Sequence, residues 1–217
     1  MLQRFPNAYH GVSKLHTAEI LELIGGILAV IALVLLAVSQ TAPETGIGVG
    51  IGALVVLAAM LVMIVTAAIL KLIGLAKARV DEPAFGTALI FVIIGAAASL
   101  LGAALSRGES GKLISDIGND VANVCSLCVS IYVVQGIINL ANKLGDAGMV
   151  VKGMRFYKLL IATYAVALAA SIVATVFSQT DAGSAVAVIL AIVAAVLDVV
   201  AYVFLFVYIG KAKQMLA

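Results

Sequence analysis

The sequence predicts an all-α polytopic membrane protein, with six transmembrane helices arranged as three helical hairpins in a pseudo-threefold repeat. Three observations lead there. The chain of 217 residues is 64% hydrophobic and 11% charged, with mean hydropathy +1.23, whereas soluble domains carry roughly 25% charged and about 45–50% apolar residues. Apolar runs near or above the ~20 residues that cross a hydrocarbon core recur six times. Successive connections are alternately rich and poor in Lys and Arg, the pattern of a chain that crosses and recrosses a bilayer.

The predicted spans cover about 19 to 38, 46 to 72, 84 to 105, 114 to 141, 158 to 177 and 184 to 209. They leave only short segments outside, so the chain is expected to be one transmembrane domain, 1–217, with no soluble domain. Function must then reside among the helices or in their loops. The first span is followed by AVSQTA and so imitates a signal peptide. Its run is longer than an h-region, Glu19 and Glu22 stand at its start, and its loss would break the even topology, so it reads as a helix that stays. The second span opens GIGVGIGA, the third contains Gly95 with Ala96 to Ala98, and the fifth is rich in alanine; small residues of this kind let helices approach closely. The Gly46/Gly50 and Gly48/Gly52 pairs read as packing within the chain in preference to an oligomer seam. No lipidation motif stands out, since the chain does not begin Met-Gly and has no cysteine at its C-terminus.

Charge fixes the expected orientation. Arg4, Lys14, Lys71, Lys77, Arg79, Lys143, Lys152, Arg155, Lys158, Lys211 and Lys213 fall on one side of a six-span chain, eleven of its thirteen basic residues. Arg107 and Lys112 alone fall on the other. The positive-inside rule puts both termini in the cytoplasm of an inner-membrane protein, with outer turns at PETG, SRGESGK and QTDAGS. The same residues are explained as anchors to anionic headgroups of the lipid bilayer, and no nucleic acid is expected as a partner. FPNAYHGVSKLH, before the first span, mixes aromatic and basic residues and is expected to rest at the interface.

The outer turns align through Ser39, Ser106 and Ser178, which are 67 and 72 residues apart. KLIGLAKA, NLANKLGD and YIGKAKQM close the even spans alike, with Lys77, Lys143 and Lys211. Repeats at 11–80, 81–150 and 151–217 follow. Convergent use of turn residues is the competing explanation.

The residues that could carry chemistry begin with Asp198, alone in AIVAAVLDVVAYVFLF. At 1.5 Å per residue it lies about 21 Å from Ser184 and about 20 Å from Lys211, near the bilayer midplane. A carboxylate there costs about 2.5–3.5 kcal/mol to insert, and every Lys and Arg is assigned to a loop or a helix end. Asp198 is therefore protonated, beside a bound cation, or in a wet cavity. Two readings stand: a proton or cation site, and a structural hydrogen bond between helices. Tyr202, one turn away, is a candidate partner.

The fourth span is the most polar. On a helical wheel Asp116, Asn119, Asp120, Asn123, Ser126 and Ser130 fall within about 120°. We read Asp116, Asn119 and Asp120 as an outer vestibule, and Asn123, Ser126 and Ser130 as lining that leads to the depth of Asp198. A helix–helix hydrogen-bond network and a face for a partner subunit are the alternatives. Thr66, Tyr132, Thr163 and Tyr164 are weaker liners.

Cys125 and Cys128 have Cys-x-x-Cys spacing but stand in mid-helix away from the polar stripe, and read as small packing residues. Glu19 and Glu22 share one face of a helix start, where the dipole favours acids, and His16 could pair with Glu19. No Gly-x-Ser-x-Gly, Walker loop or His-Glu-x-x-His occurs, so no enzyme, metal or cofactor is expected. The leading expectation is a protein that binds or moves a small solute or ion, with Asp198 as proton or cation site. The alternative is a non-transporting scaffold or accessory subunit, homo-oligomeric or docked to another transmembrane helix.

Overall fold

Apolar helices follow one another along the chain because backbone groups in a lipid-like interior must be satisfied within their own segment. The computed structural model describes residues 4–41, 46–105, 109–177 and 181–217. It describes the backbone alone at 39–41, 46–49, 109–113, 116, 167–177, 181–188, 190, 191 and 198. Six helices result: α1 (Pro6–Thr41), α2 (Gly46–Ala78), α3 (Ala84–Ala104), α4 (Glu109–Leu144), α5 (Ala147–Phe177) and α6 (Asp181–Leu216). Among the described residues, five of them contain stretches long and apolar enough to cross a membrane, in α1, α2, α3, α4 and α6. Of the outer turns expected at PETG, SRGESGK and QTDAGS, residues 43–45, 106–108 and 179–180 lie outside the described residues, whereas 46, 109–112 and 181–184 already belong to α2, α4 and α6.

The helices stop for local reasons. Pro83 has no N–H and restricts Glu82, so α2 ends and α3 begins across Val80–Pro83. Gly145 closes α4 with φ of 76°, the left-handed conformation that glycine adopts without a Cβ clash. Asp146 then caps α5 by accepting the Met149 N–H at 3.0 Å.

Neighbouring helices run antiparallel. Gly11 of α1 meets Gly74 and Ala78 of α2, Gly25 meets Ile64, Gly95 and Gly102 of α3 meet Cys125 and Gly118 of α4, and Gly153 of α5 meets Tyr208 of α6. α6 returns to α1, where His16 stacks on Phe206 at 5.0 Å between ring centroids. Packing is therefore continuous from each helix to the next and from α6 back to α1. The expected close approach through GIGVGIGA is not seen at its described end: a methyl group at Gly50 or Gly52 would have nothing within 4 Å.

Two expectations about the first helix are corrected. FPNAYHGVSKLH is not a separate arm ahead of the first helix: from Pro6 it forms the first turns of α1, with Ala8, Val12 and Leu15 buried at helical spacing. At 36 residues, α1 is about 54 Å long, well beyond the ~30 Å of a hydrocarbon core. Glu19 and Glu22 consequently lie near the fourth and fifth turns, where a dipole that fades after the first turn has no hold on them.

The core gathers toward the end that carries both termini, around Leu15, Leu75, Phe85, Val134, Ile137, Leu140 and Ile209. Toward the other end large apolar side chains are exposed, Leu33 at 67% and Leu100 at 71% among them, as suits lipid-facing surfaces. A polar clamp binds the terminus-bearing end. Asp81 accepts the Ala8 N–H at 2.7 Å and the Asn7 side-chain amide at 3.1 Å, so it holds the start of α1. Glu82, 6% exposed, accepts Lys143 Nζ at 2.6 Å and Asn139 Nδ2 at 2.9 Å, which fixes α4 to the same connection. Burial pushes the Glu82 carboxyl up, but the hydrogen bonds from Lys143 and Asn139 and the lysine charge together outweigh it and hold the group below its ordinary value.

Candidate functional site

Where α1, α2, α4 and α6 converge, the core is interrupted by charge. Lys71 stands within α2, seven residues before its end, so its side chain projects into the bundle instead of reaching a connection. Its Nζ lies 3.2 Å from Glu19 Oε1 and 2.8 and 3.0 Å from the two oxygens of Glu22. The Glu19 side chain is only 5% exposed, against 21% for Lys71 and 34% for Glu22. Spacing of three residues puts both acids on one face of α1, and antiparallel pairing brings Lys71 opposite them. Tyr202 of α6 completes the group by donating its hydroxyl to the Glu19 carbonyl at 2.8 Å.

These side chains border a cavity of about 110 Å³. Glu19, Glu22, Lys71, Ser126, Ser130 and Tyr202 supply its polar wall, and Leu15, Val133, Leu205 and Ile209 part of its apolar one. A second cavity of about 220 Å³ adjoins it between α2, α3 and α4, lined by Phe91, Gly95, Ser99 and Cys125 among others. Lys71, Ser126 and Val129 line both. An ammonium, two carboxylates, hydroxyls and apolar surface around a partly open cavity can bind a small polar or charged species or exchange a proton. Among the described residues no group of three or more His, Cys, Asp or Glu side chains is placed so that it could hold a metal ion.

Of the residues singled out in the sequence, Ser126, Ser130 and Tyr202 meet at the smaller cavity. The Ser130 hydroxyl donates back to the Ser126 carbonyl at 3.2 Å and offers its lone pairs to the cavity. Asn119, Asp120 and Asn123 continue the α4 stripe but are exposed. The side chains of Asp116 and Asp198 lie outside the described residues; the backbone of Asp198 is one helical turn from Tyr202. Thr66 bonds back to the Val62 carbonyl at 2.7 Å, away from the site. Thr163 is 5% exposed, and its hydroxyl has no hydrogen-bond partner among the described residues. Cys125, buried, packs where α4 crosses Gly95 of α3; Cys128 is half-buried, and both thiols are free.

The fold and this polar interior define an all-helical, membrane-embedded class of protein. Comparison with protein families, with characterised proteins and with solved structures returned no match.

Proposed function

We propose that the chain is a six-span protein of the inner membrane, with cytoplasmic termini and three repeated hairpins, that binds or moves a small solute or ion. The observation that carries this reading is the cavity at which Ser126, Ser130 and Tyr202 meet the buried Glu19–Lys71–Glu22 group. Ionisable residues inside a membrane bundle are costly, and they mark solute and proton paths when they border a cavity. Asp198, one turn from Tyr202, extends the same polar track toward the midplane as a proton or cation site. Asp116, Asn119, Asp120 and Asn123 form its outer approach.

Reconstitution of the purified chain into liposomes tests this reading, with uptake of a panel of labelled monovalent cations and small polar solutes and with internal pH followed in parallel. Saturable flux that is lost in Asp198→Asn supports it. A folded chain without flux for any member of the panel counts against transport. The exposed stripe of Asn119, Asp120 and Asn123 favours one second reading, an accessory subunit whose fourth helix docks another transmembrane helix. Detergent-stable copurification of a membrane partner, abolished by Asn123→Leu, would select it.

A further inference from the structure

The buried ion group holds one negative charge more than its lysine can balance. Lys71 brings one ammonium to two carboxylates, and among the described residues no second Lys, Arg or His lines the cavity beside them. The imbalance falls unevenly on the two acids. Glu22 sets both oxygens against Lys71 Nζ, at 2.8 and 3.0 Å, and is a third exposed, so water and the lysine both support its charge. Glu19 meets the same nitrogen through one oxygen at 3.2 Å and is almost wholly buried. Among the described residues, the helices packed on α1 offer it nothing more that is positive. α2 contributes Lys71, α6 the Tyr202 hydroxyl, and Ser126 and Ser130 of α4 border the cavity opposite. His16, on α1 itself, is stacked on Phe206. A buried, incompletely balanced carboxylate beside a cavity that water can reach is the arrangement in which a proton is taken up in place of a missing cation.

We propose that Glu19 is a proton-binding site, exchanging one proton with water in the cavity while Lys71, held also by Glu22, serves as the fixed countercharge. In the step, a hydronium ion gives its proton to a Glu19 oxygen and leaves as water, and the triad passes from net −1 to neutral. Release reverses it. The inference deepens the reading above and rests on it for the cavity being a working site, but it does not depend on Asp198.

Infrared spectroscopy of the full-length protein in lipid, stepped from about pH 4 to about pH 9, reads the carbonyl stretch of protonated carboxyl groups. The expected result is a titrating band that is lost in Glu19→Gln and retained in Glu22→Gln and Asp198→Asn. Lys71→Gln, with both acids intact, should move its midpoint upward by about one pH unit or more, at least about tenfold tighter proton binding; this arm holds even if Glu19→Gln fails to fold. Absence of any Glu19-dependent band together with an unmoved midpoint in Lys71→Gln overturns the proposal. A titrating band that depends on Asp198 alone also overturns it, while leaving Asp198 as the proton site of the reading above. A Glu19 band in a protein without flux supports the site and sinks transport.

Discussion

Removing the Lys71 ammonium should cost more than removing the whole charged pair. Lys71→Met keeps a long flexible side chain but strips Glu19 and Glu22 of three contacts between 2.8 and 3.2 Å. Breaking a buried ion pair by deleting one partner costs about 3–5 kcal/mol, because the other charge is left unpaired. Glu19 meets that condition at 5% exposure; Glu22, at 34%, recovers much of its loss from water. A net cost of about 2–3 kcal/mol follows near pH 8. It should shrink near pH 5, where the orphaned Glu19 relieves itself by taking up a proton. Lys71→Met combined with Glu19→Gln removes the charge that made the single change costly, and should return to within about 1 kcal/mol of wild type. Reversible unfolding in mixed detergent micelles, for wild type, both single variants and the double variant, yields the coupling directly. A coupling below about 0.5 kcal/mol is the additivity expected of independent sites and would refute the reasoning.

Three further outcomes are expected. The Glu82 carboxyl is held below its unfolded value, so its stabilisation is full above about pH 4.5 and lost as pH falls through the lower folded value. Lys143→Met should remove about 1–2 kcal/mol of it, seen as a flatter fall in melting temperature between pH 6 and pH 3 (both approximate). A methyl group at Gly11 would stand 2.5 Å from the Gly74 carbonyl oxygen and 2.7 Å from Ala78 Cβ, atoms that cannot swing aside. Gly11→Ala should therefore destabilise by about 1–3 kcal/mol in micelle unfolding, whereas Gly26→Ala, with nothing within 4 Å, should be neutral or gain up to about 1 kcal/mol. Thr163→Val replaces a buried hydroxyl that has no partner by a methyl of similar shape, and should raise stability by about 1 kcal/mol in the same assay.

The helices were legible from apolar runs, but their lengths were not. Hydropathy reports where a helix faces lipid, and α1 continues four turns beyond that into a segment buried on one face only. Ala8, Gly11, Val12 and Leu15 carry the helical period that would have revealed it. The site was half legible. Ser126, Ser130 and Tyr202 stood out as polar residues among apolar ones, whereas Glu19, Glu22 and Lys71 passed as ordinary charges at helix ends. Folding the first hairpin about Pro43 and Glu44 on paper brings Lys71 opposite His16, one helical turn from Glu19, so the pairing was recoverable from register to within a turn. The clamp by Glu82 was not, because its partners Asn139 and Lys143 lie 57 and 61 residues away and no local pattern announces them.

Lys71 also lines the larger cavity, together with Ser126 and Val129. It is a party wall as well as a countercharge. A shift of its side chain toward one cavity takes space there and leaves space in the other. Anything that draws the ammonium toward the Phe91 side loosens its hold on Glu19. An occupant of the larger cavity and the charges of Glu19 and Glu22 thus have one contact in common, the flexible Lys71 side chain.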